Sequence, residues 1–431
     1  MLKTGFKMFL LILTIALMSV SLISAQDAAS GEITFIFWEN NADMRAGWEN
    51  HVSRFNEQFP DITINLIGVP GEAWSDYLNG TATLIAGGET PDVIWVATEG
   101  VRFLVGLDLI LPLDDLIAEN SEELQEYFDD MAPNMIDSFR VDDQLYFFPY
   151  SWNNMVIYYN KEMFDAAGLE YPSADWTRDD FLAAAQAMTA DRDGDGNNDQ
   201  YGFAGSSGGI FTTVPWVLAN GTNIVTEDFC APNLTDPAVI DAIEFIHDMV
   251  YEYEVAPAPG TVTSAVLQFI DGDIGMFGAG RWSLRQLYEE GYENFDIAPW
   301  PGNPDQTTIY GVDGFGIFRT SENVPAAQEF LKYMTSPEVE ELLIAADDNT
   351  PLGNIPARRS VADLMAQFPP ENYEIFYGSL DGNVKLVPSP SRFNEMESIY
   401  MRYFNTVMAD EMSTEEAMTA AQNELMGVVS C

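Results

Sequence analysis

FFPYSWNNMVIYYNKEMF, residues 147–164, is the stretch on which the fold turns. A short apolar run ends at Pro149. A polar, aromatic patch follows, Ser151-Trp152-Asn153-Asn154. A β-rich run from Met155 to Tyr159 then stops at Asn160-Lys161 and gives way to a helix with Phe164 on its inner side. Trp152 among amides offers a polar ring-shaped ligand a flat face to stack on, with donors and acceptors beside it. The competing reading is a strand entering a core with one Trp at its mouth.

Upstream, residues 33–38 (ITFIFW) read as a buried strand closing on Trp38, Glu39 and Asn40. Trp48, Val52 and Phe55 recur at helical spacing until Pro60. Residues 62–69 form the next strand, Glu72 and Trp74 open a second helix, and Pro91-Asp92 leads into a strand at 93–96 that carries Trp95. This βαβαβ order predicts a parallel sheet covered by helices, with ligands beyond the carboxyl ends of the strands. Trp38, Glu39 and Trp95 stand at such ends. Trp48 and Trp176 are assigned to the core.

Downstream, residues 191–199 (DRDGDGNND) place Asp191, Asp193, Asp195, Asn197 and Asp199 so that their oxygens can converge on one cation. Calcium is the expected ion. Position 12 of the loop is Gly202, where a complete EF-hand has a bidentate Glu, so weaker binding or a further carboxylate is implied; the alternative is an acidic turn without metal. Trp216 precedes the turn Asn220-Gly221. Gly280 and Trp282 let a ligand approach the backbone and then stack. Residues 311–318 (GVDGFGIF) read as a Gly-interrupted strand carrying Asp313, and the segment after Pro351 leads to Arg358.

The chain is 431 residues long, which suggests two lobes. Residues 1–25 read as a signal peptide: Lys3 and Lys7, an apolar run from Phe9 to Val20, and a small residue at Ala25, with no cysteine near the cleavage point. The protein is therefore expected outside the cytoplasmic membrane, in the periplasm or at the cell surface. Sixty-eight acidic residues against eighteen Lys and Arg give a net charge of -50. Beyond the leader the lysines are Lys161, Lys332 and Lys385 alone. Such a surface repels nucleic acid and anionic membranes, and it keeps a secreted protein soluble. Cys230 and Cys431 are the two cysteines, a pair that an oxidising compartment would join.

Several stretches together resemble one family, the extracellular solute-binding proteins of carbohydrate ABC importers, which include maltose- and trehalose-binding proteins. They are AGGETPDV at 86–93, YYNKEMF at 158–164 with AGL at 167–169, and DGDG at 193–196 running on to Tyr201-Gly202. FIDGDIGM at 269–276, GRW at 280–282, and EFLKYM at 329–334 with Thr335-Ser336 complete the set. The resemblance implies an α/β, two-lobed periplasmic-binding-protein fold. Each lobe is a mostly parallel sheet flanked by helices, with three crossovers near residues 150, 311 and 351. Residues 26–149 and 312–350 would make the N-terminal lobe, and 150–311 and 351–431 the C-terminal lobe. It further implies a monomeric receptor that closes on a sugar and delivers it to membrane permease subunits. Carried over by position, the implied ligand-binding residues are Trp38, Glu39, Asn40, Glu72, Trp74, Trp95, Trp152, Asn153, Trp216, Asn220, Trp282, Asp313 and Arg358. Rings suit the apolar face of a pyranose, and carboxylates or amides suit paired hydroxyls.

Two other readings stand beside this one. The same fold could take a polyamine, a peptide or a metal chelate, which the acidity suits. A secreted glycan hydrolase or lyase is the second. His51 and His247 have no nucleophile motif beside them and read as helix-surface residues, which weighs against an enzyme.

Overall fold

The computed structural model describes residues 29–39, 41–71, 73–205, 209–344, 353–382 and 384–430. The expected signal peptide, Asn40, Glu72 and Cys431 lie outside them.

The chain begins as expected. β1 (Gly31–Glu39), β2 (Ile62–Pro70) and β3 (Val93–Ala97) pair in parallel, with β1 in the middle. The helix Ala42–Gln58 connects the first two, capped by the Asn41 side chain, which accepts from the Met44 amide. Trp48, Val52 and Phe55 face inward from it, and so does His51. The surface placement expected for His51 is thus corrected: it packs against Trp48, and burial lowers its pKa to about 4.

A small hairpin, β4 (Arg140–Val141) and β5 (Gln144–Leu145), precedes β6 (Phe148–Asn154). β6 belongs to the first sheet, whereas β7 (Val156–Asn160) belongs to a second, so the chain changes sheets at Met155. β7 lies between β9 (Ile274–Ala279) and β10 (Phe295–Ala298), and β8 (Tyr201–Ala204) closes the far side of β9. The chain returns through β11 (Thr308–Ile317), which inserts between β3 and β6 in the first sheet. β12 (Ile355–Pro356) adds to β6, and β13 (Val384–Leu386) adds to β11.

Strand direction follows from this threading. β11 runs antiparallel to both β3 and β6 because it enters the first sheet from the other lobe, while β1, β2 and β3 enter from their own helices. In the second sheet β7 is antiparallel to both neighbours, and only β8 and β9 run parallel. The parallel order read from the sequence therefore describes β1–β3 well and the crossover strands less well.

The C-terminal segment holds the halves together. β12 and β13 sit on the first sheet, although the segment from residue 351 was assigned to the C-terminal lobe. The helix Phe393–Met408 then packs on Trp74–Ala86 of the first lobe and on Ile210–Ala219 and Pro237–Tyr251 of the second. Trp48 and Trp176 are both buried, as assigned.

Candidate functional site

A cavity of about 690 Å³ opens where these elements meet. Trp38 ends β1, and Trp74 and Ser75 open the helix Trp74–Ala86. Glu99 lies in the first turn after β3, and Phe211 and Trp216 come from the helix Ile210–Ala219. Glu397, Met401 and Phe404 come from the helix Phe393–Met408. The cavity thus lies beyond the carboxyl ends of β1 and β3, where ligands of such sheets bind.

Its aromatic wall is a ladder of indoles. The rings of Trp38 and Trp74 are 4.8 Å apart, those of Trp74 and Trp95 5.4 Å, and those of Trp95 and Trp48 5.6 Å. The first two rings face the cavity and the last two sink into the core. Trp38 is fixed by its Nε1–H, which donates to the Gly71 carbonyl at 2.8 Å. Trp216 packs among Phe181, Phe203 and Trp300 and reaches the cavity from the other lobe. Trp282 is 42 % exposed, with its ring 5.9 Å from that of Phe211, and stands near the rim.

The polar wall is acidic. Burial pushes the Glu99 carboxyl up to about 8, helped by the charges of Glu397 and Asp313 and opposed by its own amide and the Thr98 hydroxyl. Glu397 is raised as well: burial outweighs the Ser75 hydroxyl and the amides of Ser75 and Ile210, both at helix N-termini. Its Oε2 is buried and finds no hydrogen-bond partner among the described residues.

Several expected residues serve the frame and do not line the cavity. Trp152 is fully buried in β6, edge-on to Tyr377 with centroids 5.5 Å apart, so it has no free face to offer. Asn153 donates to Asn354 Oδ1 at 2.9 Å and accepts from the Arg281 amide at 3.1 Å. Asp313 accepts from Trp95 Nε1 at 2.8 Å, from Ser151 Oγ at 2.7 Å and from Asn354 Nδ2 at 3.2 Å, and burial still raises its pKa to about 6. Asn220 donates to the Ala238 carbonyl and to Asp241. Glu39 is claimed by Arg45, whose Nε lies 2.6 Å from Oε1. Arg358 is buried under Tyr127, donating to the Thr335 carbonyl, with Glu340 accepting from its amide. Of the expected set, Trp38, Trp74 and Trp216 line the cavity.

Glu99, Phe211 and Glu397 were not singled out from the sequence. Glu99 follows directly on β3, so the rule that ligands bind past strand ends could have found it. Glu397 shares the inward spacing of Phe393, Met396 and Tyr400, and a lone acid on that face was the available signal.

In the acidic loop, Asp191, Asp193 and Asp195 bring ligand oxygens within 4.8 Å of one another. Asp191 already accepts from the Gly194 and Gly196 amides. Asp199 is turned toward Arg192, accepting from its amide and its Nε. Three hard oxygen donors in a preformed turn fit calcium. Cys230 is disulfide-bonded.

Among curated relatives, an arabinooligosaccharide-binding protein of Halalkalibacterium halodurans is 24% identical over 411 residues, 90% of this chain and 84% of that protein. A putative binding protein of Brucella abortus (strain 2308) is 26% identical over 319 residues, 72% of this chain and 73% of its own. Among solved structures, an ABC substrate-binding protein from Listeria monocytogenes in complex with cycloalternan superposes with a TM-score of 0.79 at 24% identity, covering 92% of this chain and 98% of that one. Maltose-bound MalE3 of T. maritima gives 0.76 at 20% identity, covering 91% and 98%. These likenesses show the two-lobed fold. The family model described as bacterial extracellular solute-binding protein matches residues 38–341, and on that span the chain belongs to this family.

Proposed function

We propose that this protein is an extracytoplasmic receptor that binds a sugar or oligosaccharide between its lobes and delivers it to the permease of an ABC importer. The observation that carries the reading is the cavity itself: Trp38, Trp74, Phe211 and Trp216 supply aromatic faces from both lobes, and Glu99 and Glu397 supply acceptors between them. Its volume falls in the range of roughly 300–1,000 Å³ typical of ligand sites. The named ligands of the relatives, an arabinooligosaccharide, cycloalternan and maltose, support the saccharide class. Binding without chemical conversion is the role we assign. The test is intrinsic tryptophan fluorescence titrated with a panel of mono- and oligosaccharides. Saturable change with one glycan class is the expected result, and silence across the panel refutes the assignment.

We also propose that Asp191, Asp193 and Asp195 hold a structural calcium ion, with Asn197 and Asp199 completing the shell once Arg192 releases Asp199. Calcium added to EDTA-stripped protein should raise the melting temperature, and Asp193→Asn should reduce that rise. No heat of binding and no melting shift would remove the ion. Cys431 is the proposed partner of Cys230, testable by peptide mapping without reduction.

A further inference from the structure

Among the described residues no basic side chain lines the cavity beside its acids. The ionisable side chains lining it are Asp76, Glu99 and Glu397, and no Lys, Arg or His is among the described residues that do so. The undescribed internal residues, 40, 72, 206–208, 345–352 and 383, contain no basic residue either. Arg281, next to Trp282 in the chain, is spent elsewhere: its Nη1 donates to the carbonyls of Leu343, Gly353 and Asn354. Arg45 is paired with Glu39.

A buried carboxylate without a partner is expensive, so such groups are neutralised or meet a cation or a donor. Glu397 is more than nine-tenths buried; Ser75 and the Ile210 amide hydrogen-bond its carboxyl, but Oε2 finds no partner among the described residues, and the side chain stands in a binding cavity. A hydroxyl could meet the neutral acid there, but it would leave the ionised form without a counter-charge. An ammonium group would supply donor and counter-charge together, through a charge-assisted hydrogen bond. The described wall offers no cation to a uronate or a sugar phosphate.

We infer that the saccharide taken by this cavity carries a protonated amine, an amino sugar whose ammonium is held by Glu397 with Glu99 beside it, while Trp38 and Trp74 take the ring faces. This rests on the saccharide reading above. It also predicts a linked proton. Glu397 faces Ser75 and Asp76 on the helix Trp74–Ala86 and Ile210 on the helix Ile210–Ala219; Glu99 faces Thr98, Glu397 and Asp313. No basic group is among them. In the free protein burial favours the protonated acids, and an arriving ammonium favours their ionised forms, so binding at a pH where the free sugar amine is already protonated should release protons.

The test is calorimetric titration of the purified protein with β-1,4-linked glucosamine oligomers, their N-acetylated counterparts, the matching glucose oligomers and an oligouronate, each in two buffers of different ionisation enthalpy. The expected result is at least about 10-fold tighter binding of the free-amine form than of the N-acetylated form, the margin of a hydrogen bond to a charged group. Proton release should accompany the amine alone. Glu397→Gln should shrink the amine preference toward unity; its fold is checked by circular dichroism, and Glu99→Gln, which should lower the proton count, gives an independent reading. If neutral or N-acetylated oligomers bind as tightly as the amine, this inference falls and the saccharide receptor stands. If no saccharide binds, both fall.

Discussion

Replacing Glu99 by Gln should stabilise this protein, and by an amount that depends on pH. The side chain sits 4 % exposed at the cavity wall, and its carboxyl is raised from the ordinary 4.5 to about 8. A group whose folded pKa lies above its unfolded value contributes stability that is complete below the unfolded value, here 4.5. That contribution is lost as pH rises through 8. At pH 7 the folded chain still holds a proton that the unfolded chain has released, which corresponds to about 3 kcal/mol lost relative to acid. Gln keeps the shape and cannot ionise. Urea unfolding of wild type and Glu99→Gln at several pH values between 4 and 8 isolates the Glu99 term together with its coupling to Asp313 and Glu397, whose charges help raise it. The variant should gain on the wild type by about 3 kcal/mol between pH 4 and 7. A difference that stays constant with pH would refute the burial argument, and with it the electrostatic picture of the cavity's polar wall.

Other substitutions probe separate parts of the structure. Trp74→Ala removes a cavity-facing ring and should weaken saccharide binding by about 1–3 kcal/mol, read as loss of affinity in calorimetry with the fold intact. His51 has the opposite pH sense to Glu99: its folded pKa of about 4 lies below the ordinary 6.5, so wild type should lose up to about 3 kcal/mol as pH falls from 6.5 to 4, and His51→Gln should flatten that acid limb of the melting profile. Gly202→Ala would set a Cβ 2.0 Å from the Ala185 carbonyl oxygen, backbone against backbone, so β8 must separate from the helix Arg178–Met188; little folded protein or a large drop in melting temperature is expected.

Much of the architecture was legible because local pattern and final structure agreed. Residues 33–38, 62–69 and 93–96 read as strands from their β-rich runs and are strands, within a residue or two at each end. The patch at 151–154 was harder. Its polar side chains look like a site when only neighbours in sequence are considered. In the structure β6 lies between β11 and β12, and its polar side chains turn to residues far along the chain: Ser151 donates to Asp313, Asn153 to Asn354, and Asn154 Nδ2 to the Phe376 carbonyl and Ser379. A local reading sees the polar groups and misses the partners. The same holds for Glu39 and Asn220, whose types suit sugar hydroxyls but whose partners are protein. Trp38 and Trp74 were legible because an indole at a strand or helix end past a parallel sheet has few other places to go.

The position of β11 bears on how the chain reaches its native state. The strand sits between β3 and β6, yet it is supplied only at residues 308–317, roughly 210 residues after β3. Until it arrives, Val93–Ala97, all buried in the finished sheet, presents an open apolar edge of the kind that invites intermolecular pairing. The first lobe therefore cannot be completed as a unit during synthesis, however early its own strands appear. Its contacts are of high sequence separation and close late, which slows folding. Where export precedes folding, such a delay is an asset: the segment that locks the first sheet is made after the strands of the second.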